Sequence, residues 1–268
     1  MAGFSRRDLL KSAGVVGAAA TVSPLGNAAA QSTSPMHTAV VPNQGSSGQQ
    51  PQPSQHAEQT NDDILFFFNS EEAKFVRAAV DRLIPADDKW GGADAAGVLY
   101  FIDRQLASSY GAGARMYLKG PWNPDAPAEQ GYQLRYSPAE LYRVAIPEVL
   151  DGVRKQNNGK NFWDLSDGDK DRTLKALEDG DLELQSLPSP VFFETLLANT
   201  IEGFFADPVY GGNRGMIGWR MVGFPGAYAQ YVGLVDQHGI SYTREPLSIA
   251  TSFAEMGEHD RMHEHAEK

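Results

Sequence analysis

Apolar side chains recur three and four positions apart from Phe75 onward, the spacing that lays them along one face of a helix. Phe75, Val76, Ala79, Val80, Leu83 and Ile84 form the first such face. Ser70 reads as its N-cap, Glu71 and Glu72 put acids in the first turn, and Pro85 stops it. A second helix is expected over roughly residues 93–108, with Val98, Leu99, Ile102 and Leu106 inward and Gly111 as terminator. Residues 111–136 are dense in Gly, Pro and Tyr and read as a long structured loop. Ser137-Pro138-Ala139-Glu140 joins a capping box to a proline at the first helical position. The helix it opens should reach about Lys155, with a kink expected at Pro147. Ser166 caps a fourth helix ending near Gly180. Ser189-Pro190 opens a fifth, carrying Phe192, Phe193, Leu196, Leu197, Ile201, Phe204 and Phe205. Its near-continuous hydrophobicity predicts a central, buried helix. A short helix over residues 227–237, an extended arm over 241–249 and a frayed polar tail over 255–268 are expected to follow. No alternating run predicts a strand. The fold class expected is mostly α, a single irregular helical domain over residues 61–250 with long Gly/Pro-rich loops.

One stretch breaks the helical pattern. From Phe204 to Gly226 the chain holds six glycines and two prolines among aromatic residues and two arginines, Arg214 and Arg220. Glycine at that density lets backbone take unusual dihedrals or approach another surface closely. Two readings fit: an Ω-like loop packed by its own side chains, or a docking surface for a partner or ligand. Tyr210, Arg214, Trp219 and Arg220 are its candidate contacts, because Trp, Tyr and Arg dominate interface hot spots.

The ends of the chain carry a different message. Ser5-Arg6-Arg7-Asp8-Leu9-Leu10-Lys11 reads as a twin-arginine export motif. An apolar run over residues 13–22 and the small residues Ala28, Ala29 and Ala30 complete a leader, expected to be cleaved after Ala30. Residues 31–60 contain seven Gln, five Ser and four Pro, with one acid and no aromatic ring. Such a segment cannot bury enough surface to offset chain entropy and is expected to be a disordered tether. Residues 251–268 form the polar tail.

Charge and composition narrow the chemistry. The formal charge is −11, and loss of Arg6, Arg7, Lys11 and Asp8 with the leader takes it to −13. That balance argues against nucleic acid and anionic membrane surfaces as partners. The chain has no cysteine, which excludes thioether-linked haem and cysteine-held iron–sulfur clusters. Gly111-Ala112-Gly113 lacks the third glycine of a dinucleotide fingerprint, since Met116 occupies that position. Asp167, Asp169, Asp171 and Glu178 copy four positions of a calcium loop, but Arg172 stands where the turn requires glycine. Acids at a capped helix start are the better reading. His238 fits a helix end better than a catalytic role, and His259, His263 and His265 sit in the polar tail. No catalytic, cofactor-binding or metal-binding residue is assigned to this chain.

Several segments together resemble the small (gamma) subunit of membrane-associated FAD-dependent gluconate 2-dehydrogenase, also called subunit 3. They are the leader, Val80-Asp81-Arg82-Leu83-Ile84-Pro85, and Gly91-Gly92-Ala93-Asp94-Ala95-Ala96-Gly97. Gly131-Tyr132 and Ser137-Pro138-Ala139-Glu140-Leu141-Tyr142 add to them. The longest is Glu202-Gly203-Phe204-Phe205-Ala206-Asp207-Pro208-Val209-Tyr210-Gly211-Gly212-Asn213. The likeness covers about residues 64–245. It implies a subunit that is no enzyme on its own, serving a periplasmic sugar or sugar-acid dehydrogenase. FAD is expected in a large partner subunit and haem c in a cytochrome subunit. The small subunit would bind the flavoprotein, stabilise it and carry it through the twin-arginine translocase. The alternative is a free-standing exported enzyme or solute binder, with the glycine-rich loop as its pocket.

Overall fold

The computed structural model describes residues 63–123, 126–227, 236–240 and 243–251. The expectations for the leader, the tether, the 227–237 helix and the tail lie largely or wholly outside them. Six α-helices form the framework of the described residues: α1 Ser70–Leu83, α2 Val98–Leu106, α3 Pro138–Gln156, α4 Asp167–Asp179, α5 Ser189–Phe205 and α6 Ile217–Val222. Short 3₁₀ turns connect them, and a single β-bridge pairs Gly226 with Leu247 among the described residues. The mostly α expectation is met.

Capping chemistry sets the helix boundaries. At α1 the cap is Asn69, one residue before the expected Ser70. Its side chain accepts from the Glu71 and Glu72 amides while Glu72 reaches back to the Asn69 amide, a complete capping box. Ser137 and Glu140 form the expected box at α3. α3 runs through Pro147 without interruption, so the expected kink is not a break in the helix. α4 starts at Ser166 and ends at Gly180, as its sequence predicts. α2 is shorter than predicted: residues 93–97 form turns, and the helix begins only after Gly97.

The core joins these helices through aromatic rings. Phe75 of α1 meets Phe162 edge-on at 5.1 Å and stacks on Phe192 of α5 at 6.3 Å. Tyr142 of α3 meets Phe192 edge-on at 5.5 Å. α5 touches each of the other five helices, as expected of a central element. Its outward line still carries exposed Ala198 and Glu202 with half-covered Ile201 and Phe205. Arg82 ties α1 to α4 through paired 2.8 Å bonds to Asp171 and a 3.0 Å contact with Asp167. The Asp171 bond is the main reason its guanidinium is held above its ordinary pKa. Asp169 accepts from Ser166 and Arg172, so the acids of the calcium-like spacing are engaged in protein contacts.

Burial also fixes the state of three tyrosines. The Tyr142 hydroxyl donates to Asn199 at 3.0 Å, and Asn199 donates to Tyr110 at 3.1 Å. Loss of solvent pushes Tyr110 upward and Tyr142 far upward. Tyr132 donates to the Tyr136 carbonyl at 2.7 Å, and burial first, then Glu140, pushes it up to about 12. An unfolded tyrosine loses its proton near pH 10, so between about pH 10 and 12 the unfolded chain binds fewer protons than the native one. Stability is therefore expected to be intact below about pH 10 and to fall as pH rises through that window. Urea midpoints taken across the alkaline range should fall less steeply for Tyr132→Phe than for wild type. Parallel slopes would show that Tyr132 does not contribute.

Candidate functional site

α5 delivers the chain into the glycine-rich stretch, and three buried polar groups wind that stretch into shape. Asp207 accepts from the Val209 amide at 3.0 Å and from the Ile249 amide at 2.8 Å. It thereby opens the 3₁₀ turn Pro208–Tyr210 and pins the C-terminal segment beside it. Asn213 is fully buried at φ +47°, a left-handed conformation that asparagine tolerates. Its amide donates to the Ala206 carbonyl at 2.9 Å and accepts from the Gly218 amide at 2.8 Å. Trp219 of α6 sends its indole N–H to the Phe205 carbonyl at 2.7 Å. Beyond α6, Leu247 exchanges backbone bonds with Pro225 and Ala227.

The loop lies directly on the helices. At Gly212 a Cβ would fall 2.2 Å from the Gly203 carbonyl of α5, so no larger residue fits that approach. Arg104 of α2 packs over Gly211, where a Cβ would sit 2.4 Å from its Nη1. The Arg214 amide bonds the Ala96 carbonyl at 3.0 Å, and its guanidinium lies 4.3 Å from the Tyr100 ring centroid. The same guanidinium meets Asp63, the first described residue, at 3.0 Å. The stretch is thus an ordered loop held by its own side chains, with an outer surface still to be used.

That outer surface contains a groove of about 500 Å³ between α2 and α5. Phe101, Ile201, Phe205 and Ala206 supply its apolar floor, and Gln105, Glu202, Asp207 and Tyr210 its rim. Beside it Val209 is 50% and Tyr210 52% exposed, while Val222 and Phe224, at the C-terminal end of α6, are about half exposed. A second hollow, about 320 Å³ between α3 and the 181–185 segment, is polar, with Glu148 already bonded to Gln185 and Ser186.

The four residues singled out from sequence divide among different neighbours. Tyr210 stands at the groove and is exposed. Arg214 is clamped over Tyr100, and Arg220 lies 3.5 Å from Glu245. Trp219 is only 6% exposed and packs edge-on to Phe224 at 5.2 Å, so it supports the loop from within. Its place among surface contacts is therefore withdrawn. The floor residues Phe101, Ile201 and Phe205 were not singled out. The signal was present, because Ile201 and Phe205 form an i,i+4 apolar pair beyond the face the core uses. Ser5, Arg6, Arg7, Leu9, Leu10 and Lys11 lie outside the described residues. Among the described residues no three His, Cys, Asp or Glu groups gather to hold a metal, and no helix is long and apolar enough to cross a membrane.

A family profile described as Gluconate 2-dehydrogenase subunit 3 matches residues 70–226, more than half of the chain. The chain belongs to that family. A second profile, the twin-arginine translocation pathway signal sequence, matches residues 3–23. No curated protein and no solved structure matches at a significant level. In this subunit 3 chain the match runs from the first residue of α1 to Gly226, the last residue of the glycine-rich loop. Family and signal together support an accessory role in an exported assembly, with periplasmic delivery by the twin-arginine route.

Proposed function

We propose that this chain is the non-catalytic small subunit of a periplasmic FAD-dependent gluconate or related sugar dehydrogenase. It binds the large flavoprotein, stabilises it and supplies the export signal. A cytochrome c subunit completes the assembly and keeps it at the membrane. One observation carries the reading: a twin-arginine leader precedes a domain whose family is a dehydrogenase subunit. The twin-arginine route exists for cargo that is already folded, which suits a partner whose flavin is inserted in the cytoplasm. The chain brings no cysteine for redox chemistry of its own. The exposed surface beside the 207–210 turn, apolar and built on a rigid loop, supports a partner-binding role.

Replacing Arg6 and Arg7 together by lysine tests the escort role. The expected result is a flavoprotein partner retained in the cytoplasm, with its flavin fluorescence nearly absent from the periplasmic fraction. Undiminished export of the flavoprotein in that variant overturns the proposal.

A further inference from the structure

We infer that the groove between α2 and α5 seats an apolar side chain of the flavoprotein that is flanked in its own chain by a lysine or arginine. The inference rests on the function proposed above and assigns the contact that the subunit makes.

The apolar half follows from the groove's construction. Its floor is built from Phe101, Ile201, Phe205 and Ala206, and it stays open to solvent. Exposed Val209 and Tyr210 extend that apolar surface past the rim. An open apolar hollow edged by half-exposed Val209 and Tyr210 is a surface that a partner's anchor side chain can fill. The volume, about 500 Å³, accommodates a bulky anchor of the kind that dominates interfaces. The floor is also rigid, since Gly203 lets α5 close onto Phe101 and Asn213 fixes the Ala206 carbonyl. A preformed seat loses little freedom on binding.

The basic half follows from charge. Glu202 stands exposed at the rim, where its carboxylate accepts from Asn199 at 3.2 Å. The Asp207 carboxylate beneath it is consumed by the Val209 and Ile249 amides, so Glu202 is the rim charge offered to a visitor. The same charge argues against two other occupants. A second copy would bring another chain of net charge −11 to an acidic rim. This chain's own tail carries Glu255, Glu258, Asp260, Glu264 and Glu267 against Arg261 and Lys268. An apolar anchor beside a cation satisfies both floor and rim.

The test uses the full-length chain and the FAD-bearing subunit that co-purifies with it, with affinity measured at two salt concentrations. Ile201→Glu is expected to weaken binding on the order of tenfold or more, because it puts a charge into the apolar seat. Ile201→Leu, which keeps the seat apolar, should bind like wild type. Glu202→Lys should weaken binding several-fold and flatten its salt dependence, as loss of a rim charge does. Thermal unfolding of each variant separates loss of contact from loss of fold. A well-folded Ile201→Glu variant that binds at wild-type strength overturns the groove assignment and leaves the escort role standing. Failure of the wild-type chain to hold any flavoprotein overturns both. A wild-type dimer dissociated by Ile201→Glu, or tighter flavoprotein binding after deletion of residues 252–268, overturns the assignment in favour of a second copy or the tail.

Discussion

Alanine at Asp103 is expected to lower unfolding stability by about 3 kcal/mol or more, because a buried charge with several bonds is removed from beneath its donors. Asp103 is fully buried in α2. Its carboxylate accepts from the amides of Phe66 at 2.6 Å, Phe67 at 3.0 Å and Phe68 at 2.8 Å. Three consecutive backbone donors thus converge on one side chain and fasten the segment leading into α1. The same segment is gripped from α3, where Arg143 lies 3.9 Å over the Phe67 ring and bonds both the Phe67 carbonyl and Glu72. Removing the carboxylate leaves the Phe68 amide buried without its acceptor, and the Arg143 clamp alone cannot satisfy it. Asparagine keeps one acceptor oxygen but not the charge, so Asp103→Asn should fall between wild type and alanine. Urea unfolding with an unchanged denaturant slope is the measurement. A loss below about 1 kcal/mol for the alanine variant would show that water replaces the carboxylate without difficulty.

Asp103 also shows where sequence reasoning stops. Residues 99, 102, 103 and 106 fall on one helical face, so an acid stands at a position the pattern assigns to the core. That conflict announces a buried polar role, but its partners come from a segment more than thirty residues earlier, and no local pattern names them. The capping signals at Ser137, Ser166 and Gly180 were legible for the opposite reason: donor and acceptor lie within one turn. The start of α2 was misjudged because Gly97 takes a left-handed conformation, φ +72°, that interrupts the helical run, while the distant Arg214 amide bonds the Ala96 carbonyl. The same holds at the candidate site. Composition marked residues 204–226 as unusual, and Tyr210 is exposed beside the groove. Trp219 was misplaced because a tryptophan's side-chain direction depends on which way the loop folds back. Only the indole bond to the Phe205 carbonyl decides that.

Gly212→Ala is expected to be among the most damaging single methyl groups in the loop, costing about 2–4 kcal/mol locally through backbone that cannot yield. Its new Cβ would sit 2.2 Å from the Gly203 carbonyl and 3.0 Å from the carbonyl carbon. Both are backbone atoms of α5, the helix on which the remaining helices pack. Relief requires the loop to lift, which breaks the Asn213 bonds to Ala206 and Gly218 next in line. Gly215 supplies the control. It sits at φ +62° with nothing near its Cβ position, so alanine there brings only the left-handed penalty of roughly 1–2 kcal/mol. The two variants separate close packing from backbone conformation as the cause of the loop's glycine content. Hydrogen exchange should show faster opening of residues 207–222 in Gly212→Ala, with α1 and α4 protected as in wild type. Tyr210 lies two residues from the lifted backbone, so flavoprotein affinity should fall in the same variant and hold in Gly215→Ala. If the two variants behave alike in both measurements, the loop's contact with α5 does not set its shape, and the groove beside it loses its fixed wall.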